Sequence, residues 1–268
     1  MEKLAIALRD TDLGRFLEFI GALFNMAVDA AKTLFRTPPT GNSVMQEVKA
    51  LGVKSMVIVI VAALATGLVM ALQFGYGFAR FGAKLYVPKV VTISIVRELG
   101  PIFTALMLAG RVGAGIAAEI GSMTVTQQVD AIRALGTSPM KKLILPKIIA
   151  TTISAPILTM LANFLGIVGG MLIASAALGL SAYDYFFKAF EIITARDVMG
   201  GVIKSTVFGF LIGLVGCCVG MRTRGGTQGV GNSTTQAVVM ASILVLVFDF
   251  LVTQVIWIFE HAFTSGVV

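Results

Sequence analysis

Residues 54–74 read KSMVIVIVAALATGLVMALQF, and from Ser55 to Phe74 the run carries no charged side chain. An apolar run of 18 or more residues, at about 1.5 Å per residue, is long enough to cross the ~30 Å hydrocarbon core of a bilayer as a helix. Strand-like alternation of apolar and polar residues, which a membrane barrel needs, is absent. The rest of the chain agrees with this stretch. Of 268 residues, 57% are hydrophobic and 13% charged, and mean hydropathy is +0.92. Soluble domains hold about 45–50% apolar and about 25% charged residues. The sequence therefore predicts an all-α, polytopic membrane protein.

Four further spans are expected, near 90–118, 143–177, 198–221 and 237–259. The second is longer than a bilayer needs, which calls for a break or a tilt. Residues 11–36 have helical spacing, with Leu13, Phe16, Leu17, Ile20, Phe24, Ala27, Val28, Ala31 and Phe35 on one face and Asp12 placed to cap. With no soluble domain to pack on, this is read as an amphipathic helix lying in the membrane interface. The expected organisation is an interfacial segment over 1–54, a five-helix membrane domain over 55–259 and a short tail over 260–268. Residues 181–197 form an aromatic connector, and a polar glycine-rich loop is expected between spans four and five. Fourteen of the 21 lysines and arginines fall on the side of the N-terminus and seven on the other, so the N-terminus is expected in the cytoplasm and the C-terminus in the periplasm.

Several function classes find no support. The net charge of +7 comes mostly from cations flanking apolar runs rather than from a basic-aromatic module for nucleic acid. Cys217 and Cys218 are adjacent and lack metal-ligand spacing. The single histidine, His261, has no nucleophile and carboxylate set around it. Gly226-Thr-Gln-Gly-Val-Gly-Asn-Ser has the glycine spacing of a phosphate-binding loop, but Asn232 stands where the lysine belongs. No catalytic residue, metal site or cofactor is expected in this chain.

Two polar features stand out against the apolar background. Between spans two and three, Thr124 and Gln127 match a T-x-x-Q capping box, Val125, Val129 and Ile132 share a face, and Gly136 and Pro139 supply a stop. A short amphipathic helix of about 12 residues over 123–136 is expected, either a solvated hairpin tip or a knob that docks into a partner. Within span two, Arg97 and Glu98 sit one turn before Gly100-Pro101. Each ionised side chain at mid-bilayer costs about 2.5–3.5 kcal/mol on insertion scales. Pro101 cannot donate to the carbonyl of Arg97, so a kink is expected there. The pair marks either a polar cavity or a helix end whose charges reach the outer interface.

The segments VRELGPIFTALMLAGRVGAGIAAEIGSM (96–123), VTQQVDAIRALGTSPMKKLILPKIIA (125–150) and FDFLVT (248–253) resemble the MlaE-type permease family, the membrane subunits of ABC transporters that work with MCE proteins in lipid trafficking. The resemblance covers nearly the whole chain. It implies a homodimer, a partner ABC ATPase that binds ATP and magnesium, an MCE-domain protein in the periplasm, often a small STAS-type regulator, and phospholipid as cargo at the bacterial inner membrane. On that footing the lipid site is expected at Arg97 and Glu98, with an apolar wall from Leu68, Leu72, Gln73 and Tyr76. The coupling helix is expected to meet the ATPase through Glu119, Val125, Val129, Asp130, Ile132 and Arg133. An ion-coupled carrier or a non-transporting scaffold remain the alternatives. A carrier calls for several facing intramembrane acids, of which only Glu98 and Asp249 qualify, and Asp249 is expected to pair inside the fold with Lys204 or a backbone end.

Overall fold

The computed structural model describes residues 12–264. The side chains of Asp12, Leu13, Arg15, Phe16 and residues 260–264 lie outside that description, and with them the expected Asp12 cap and His261. The described residues form eight helices and no strand: α1 (Asp12–Arg36), α2 (Gly41–Ala79), α3 (Lys84–Val125), α4 (Gln128–Ala134), α5 (Met140–Leu178), α6 (Ala182–Ile192), α7 (Ala195–Met221) and α8 (Gly226–Thr264). Five of them, α2, α3, α5, α7 and α8, are long and apolar enough to span a membrane.

Small residues set the packing. Lipid tails are as apolar as the side chains, so helices associate in a bilayer through close contact rather than hydrophobic exclusion. On α2 the buried positions Ala63, Gly67, Ala71 and Gly75 recur every fourth residue. Gly67 meets α5 so closely that a β-carbon would lie 1.9 Å from the carbonyl oxygen of Gly166. Along α7, Gly216 meets Ile116 and Gly220 meets Ile120, whereas Gly209 and Gly213 meet Thr151 and Ile148 of α5. The residue order shows that α2 runs parallel to α5, α3 parallel to α7, and α5 antiparallel to α7.

Helix α7 is the centre of the bundle: 72% of its most apolar window is buried, against 22% in α2 and 17% in α8. Ile116 and Ile120 of α3, Ile148 of α5, and Phe208, Ile212 and Val215 of α7 make the tightest part of the core. Among the five spans, helices α2 and α8 consequently carry most of the exposed large apolar side chains, including Val57, Val61, Phe250 and Val255.

The long second span widens locally at the charged pair. Residues Ile95–Leu99 form a π turn, in which the Gly100 amide donates to the Ile95 carbonyl. A π turn is one way a helix absorbs a residue that cannot join the normal ladder. Gly201 of α7 fits against the Val96 carbonyl, where a β-carbon would sit at 2.8 Å. A second π turn, Ala109–Gly113, carries Arg111, which donates to the buried Ser55 hydroxyl at 2.6 Å.

Two sequence expectations are corrected. Thr124 is not a cap: α3 continues through Val125 and the Thr124 hydroxyl donates to the Ile120 carbonyl of its own helix at 2.8 Å. The chain then turns through Gln127 in the left-handed region (φ 59°), and α4 is only 7 residues long. The glycine-rich segment before span five is no loop. Gly226 opens α8 and the rest of the segment lies in its first turns, with Thr223 donating to Ser233 at 2.8 Å. On α1, Phe19, Leu23 and Ala30 pack on the bundle, whereas Leu17, Phe24 and Phe35 of the apolar face are exposed on the protein surface. Glu18 ties α1 to Arg222 at the end of α7, at 3.1 Å.

Candidate functional site

Helix α7 starts with a reciprocal cap. The Thr194 hydroxyl accepts from the Asp197 amide, and the Asp197 carboxylate accepts from the Thr194 amide at 2.9 Å and from its hydroxyl at 2.7 Å. The box satisfies donors that a helix start leaves open. It also fixes the second oxygen of Asp197 toward α3, where Arg97 donates from Nε at 2.6 Å. Asp197 is buried and Arg97 is half exposed.

Two turns along α7, Lys204 is buried and donates to Glu98. The Asp249 carboxylate of α8 lies 3.3 Å from the same ammonium. One cation thus serves two carboxylates from two different spans. An unpaired charge here would carry the full intramembrane cost, so the groups are held as pairs. Neighbours on a helix point about 100° apart, which is why Arg97 and Glu98 find separate partners on α7. The pairing expected of Asp249 with Lys204 is present.

Arg97, Glu98, Asp197 and Lys204 line a cavity of about 90 Å³ with Arg196, Gly200, Gly201, Thr253, Ile256 and Trp257. It is built by α3, α7 and α8. The other residues expected at this site, Leu68, Leu72, Gln73 and Tyr76, sit on α2 and line no part of it. Leu68 and Leu72 are half buried and Gln73 and Tyr76 exposed. Arg196, Asp197 and Lys204 were not expected as site residues. The T-x-x-D spacing of Thr194–Asp197 before an apolar run was the available signal for Asp197.

At the other end of the bundle α4 presents the second polar feature. Val129 is its one buried side chain, Val125 and Ile132 are half buried, and Asp130 pairs with Arg133 at 2.8 Å on the exposed face. Glu119 does not stand free. It accepts from Lys147 at 2.8 Å, and Lys147 also donates to Glu47 at 2.8 Å. Lys147 is 1% exposed, so this clamp joins the start of α2, the end of α3 and the start of α5 from inside. Tyr185 of α6, between spans, is also buried, and burial pushes its phenol well above its ordinary range. Among the described residues no three His, Cys, Asp or Glu side chains gather to hold a metal.

Five packed spans, a charge network inside the bundle near one end and a short polar helix at the other define a polytopic membrane permease. The chain matches the family model "Permease MlaE" over residues 44–255. It is 37% identical over 243 residues, 91% of this chain and 94% of the relative, to a probable ABC transporter permease protein of Rickettsia typhi. It is 34% identical over 210 residues, 78% of this chain and 60% of the relative, to the chloroplastic protein TRIGALACTOSYLDIACYLGLYCEROL 1 of Arabidopsis thaliana. Identity is 31% over 214 residues, 80% of this chain and 82% of the relative, with the intermembrane phospholipid transport system permease protein MlaE of Haemophilus influenzae. The chain belongs to the MlaE permease family.

Proposed function

We propose that this chain is the transmembrane subunit of an ABC transporter that moves phospholipid between the inner membrane and a periplasmic MCE-domain protein, helping to maintain the lipid asymmetry of the outer membrane. The observation that carries the reading is the internal charge network of Arg97, Glu98, Asp197, Lys204 and Asp249 in a chain similar to a phospholipid transport permease. Ionised groups within spans are costly and mark a functional site by default, and an amphiphile's head needs such a polar place.

In this reading the N-terminus is cytoplasmic, as the distribution of lysine and arginine favours. Helix α4 then faces the cytoplasm, where it meets an ATPase through Val125, Val129, Asp130, Ile132 and Arg133. That partner binds ATP and magnesium and hydrolyses the nucleotide. Glu119 acts through its bond to Lys147, passing displacement of α4 to the starts of α2 and α5. Two copies of the chain associate, bringing Leu68, Leu72, Gln73 and Tyr76 of the lightly packed α2 to the lipid path, and a STAS-type regulator accompanies the ATPase. Mass spectrometry of the intact complex purified from native membranes tests this composition. Two copies of this chain, two ATPase subunits, an MCE ring and bound phospholipid are expected. A lone chain that takes up an amphiphile on a proton or sodium gradient contradicts it.

A further inference from the structure

We infer that Arg196 binds the phosphate of a glycerophospholipid whose acyl chains lie in the groove between α7 and α8, an assignment that rests on the phospholipid reading above. The polar cavity opens into an apolar groove of about 770 Å³, within the range of small-molecule sites. Met199 and Ile203 form one wall, and Leu251, Val255 and Phe259 the other. From Phe248 to Phe259 the groove runs about 16 Å along α8 at the helical rise, so it is a trough suited to hydrocarbon chains. Arg196, Gly200 and Ile256 belong to both the cavity and the groove.

Three cations line the polar cavity, and two are committed. Arg97 is neutralised by Asp197, and Lys204 by Glu98 and Asp249. Arg196 is exposed and, among the described residues, has no acid within ion-pair distance. The cluster without Arg196 holds three carboxylates against two cations, and the surplus carboxylate is held at the buried Lys204 ammonium. The attraction for an anion is therefore local to Arg196. A guanidinium offers phosphate two parallel hydrogen bonds in fixed geometry. A charged head at Arg196 with tails along the trough satisfies both halves of an amphiphile. A phosphate-free lipid would fill the trough and leave the guanidinium unanswered.

Trp257 is the only tryptophan in the chain and lines the polar cavity, so it reports occupancy directly. Full-length protein in detergent is titrated with phosphatidylglycerol brominated on its acyl chains, or with equally brominated diacylglycerol, and quenching of Trp257 is followed. Wild type is expected to half-saturate with phosphatidylglycerol at a mole fraction about tenfold below that for diacylglycerol. Arg196→Gln is expected to erase that preference while leaving the diacylglycerol curve and the thermal midpoint unchanged, and Arg196→Lys to keep part of it. If Arg196→Gln retains the full preference, the anchor lies elsewhere and this inference falls, with the phospholipid reading intact. If wild type itself shows no preference, the phospholipid reading falls and takes this inference with it. If neither lipid quenches Trp257 until the protein is diluted to monomer, a second copy fills the trough and the inference is overturned.

Discussion

Lys204→Met is expected to lower fold stability by about 3–5 kcal/mol, the usual result of removing one partner from a buried ion pair. The cause is what remains: Glu98 and Asp249 would face each other across an apolar side chain, with Asp249 mostly buried. Glu98 is less enclosed, so Asp249 carries the larger share. A second change should therefore rescue the first. Lys204→Met with Asp249→Asn replaces a charge by a neutral group of the same shape and is expected to restore most of the thermal midpoint in detergent. An unaltered midpoint for Lys204→Met would mean that water reaches the cluster and that its charges are not held as pairs.

Lys147→Met should be as damaging, again about 3–5 kcal/mol, from the opposite end of the bundle. Lys147 is among the most enclosed side chains in the protein, and both its partners approach to 2.8 Å. Without it, Glu47 and Glu119 repel each other next to the start of α5. The triple variant Lys147→Met, Glu47→Gln, Glu119→Gln is expected to recover the fold, since it removes the like charges. It separates two roles for Glu119. If Glu119 acts through Lys147, the triple variant folds but shows ATP hydrolysis uncoupled from lipid in the assembled complex. If Glu119 touches the ATPase directly, the single change Glu119→Gln lowers stimulated hydrolysis without moving the thermal midpoint.

How much of this was legible in the sequence follows from the range of the interactions. The five spans were readable because composition over 18 or more residues is a local property, and residues 54–74 carry it without interruption. The short polar helix was readable from Val129, Gly136 and Pro139, but its start was misplaced. The T-x-x-Q pattern at Thr124 is real as a pattern. A threonine hydroxyl can equally donate to the carbonyl four residues back inside a helix, and Thr124 does so. The true capping box, Thr194 with Asp197, lay in a stretch read as connector. Partners were the harder part. Arg97 with Asp197 are 100 residues apart and Glu98 with Lys204 are 106 apart, and only the packing of α3 on α7 brings them together. Asp249 with Lys204 was foreseen because a buried acid needs a cation and few were in reach. Lys147, at the start of the expected third span, was not singled out. Nothing local distinguishes it from Lys141 or Lys142, which are exposed.

The glycines were legible in number but not in purpose. Gly67 and Gly201 are required by close approach to a carbonyl of another helix, a demand that exists only once the spans have been paired. The apolar wall expected from Leu68, Leu72, Gln73 and Tyr76 was chosen by spacing on one helix. Spacing says which residues share a face, not which helix that face meets.

The most direct test of the account is lipid movement itself. The chain is reconstituted with its ATPase and MCE partners in vesicles containing fluorescent phosphatidylglycerol, and transfer of the lipid to or from the MCE protein is followed after adding ATP and magnesium. The account predicts transfer that requires ATP, stops when the ATPase is left out, and is lost with Glu98→Lys in protein that still folds. Transfer that proceeds without the ATPase, or that Glu98→Lys leaves untouched, would contradict it.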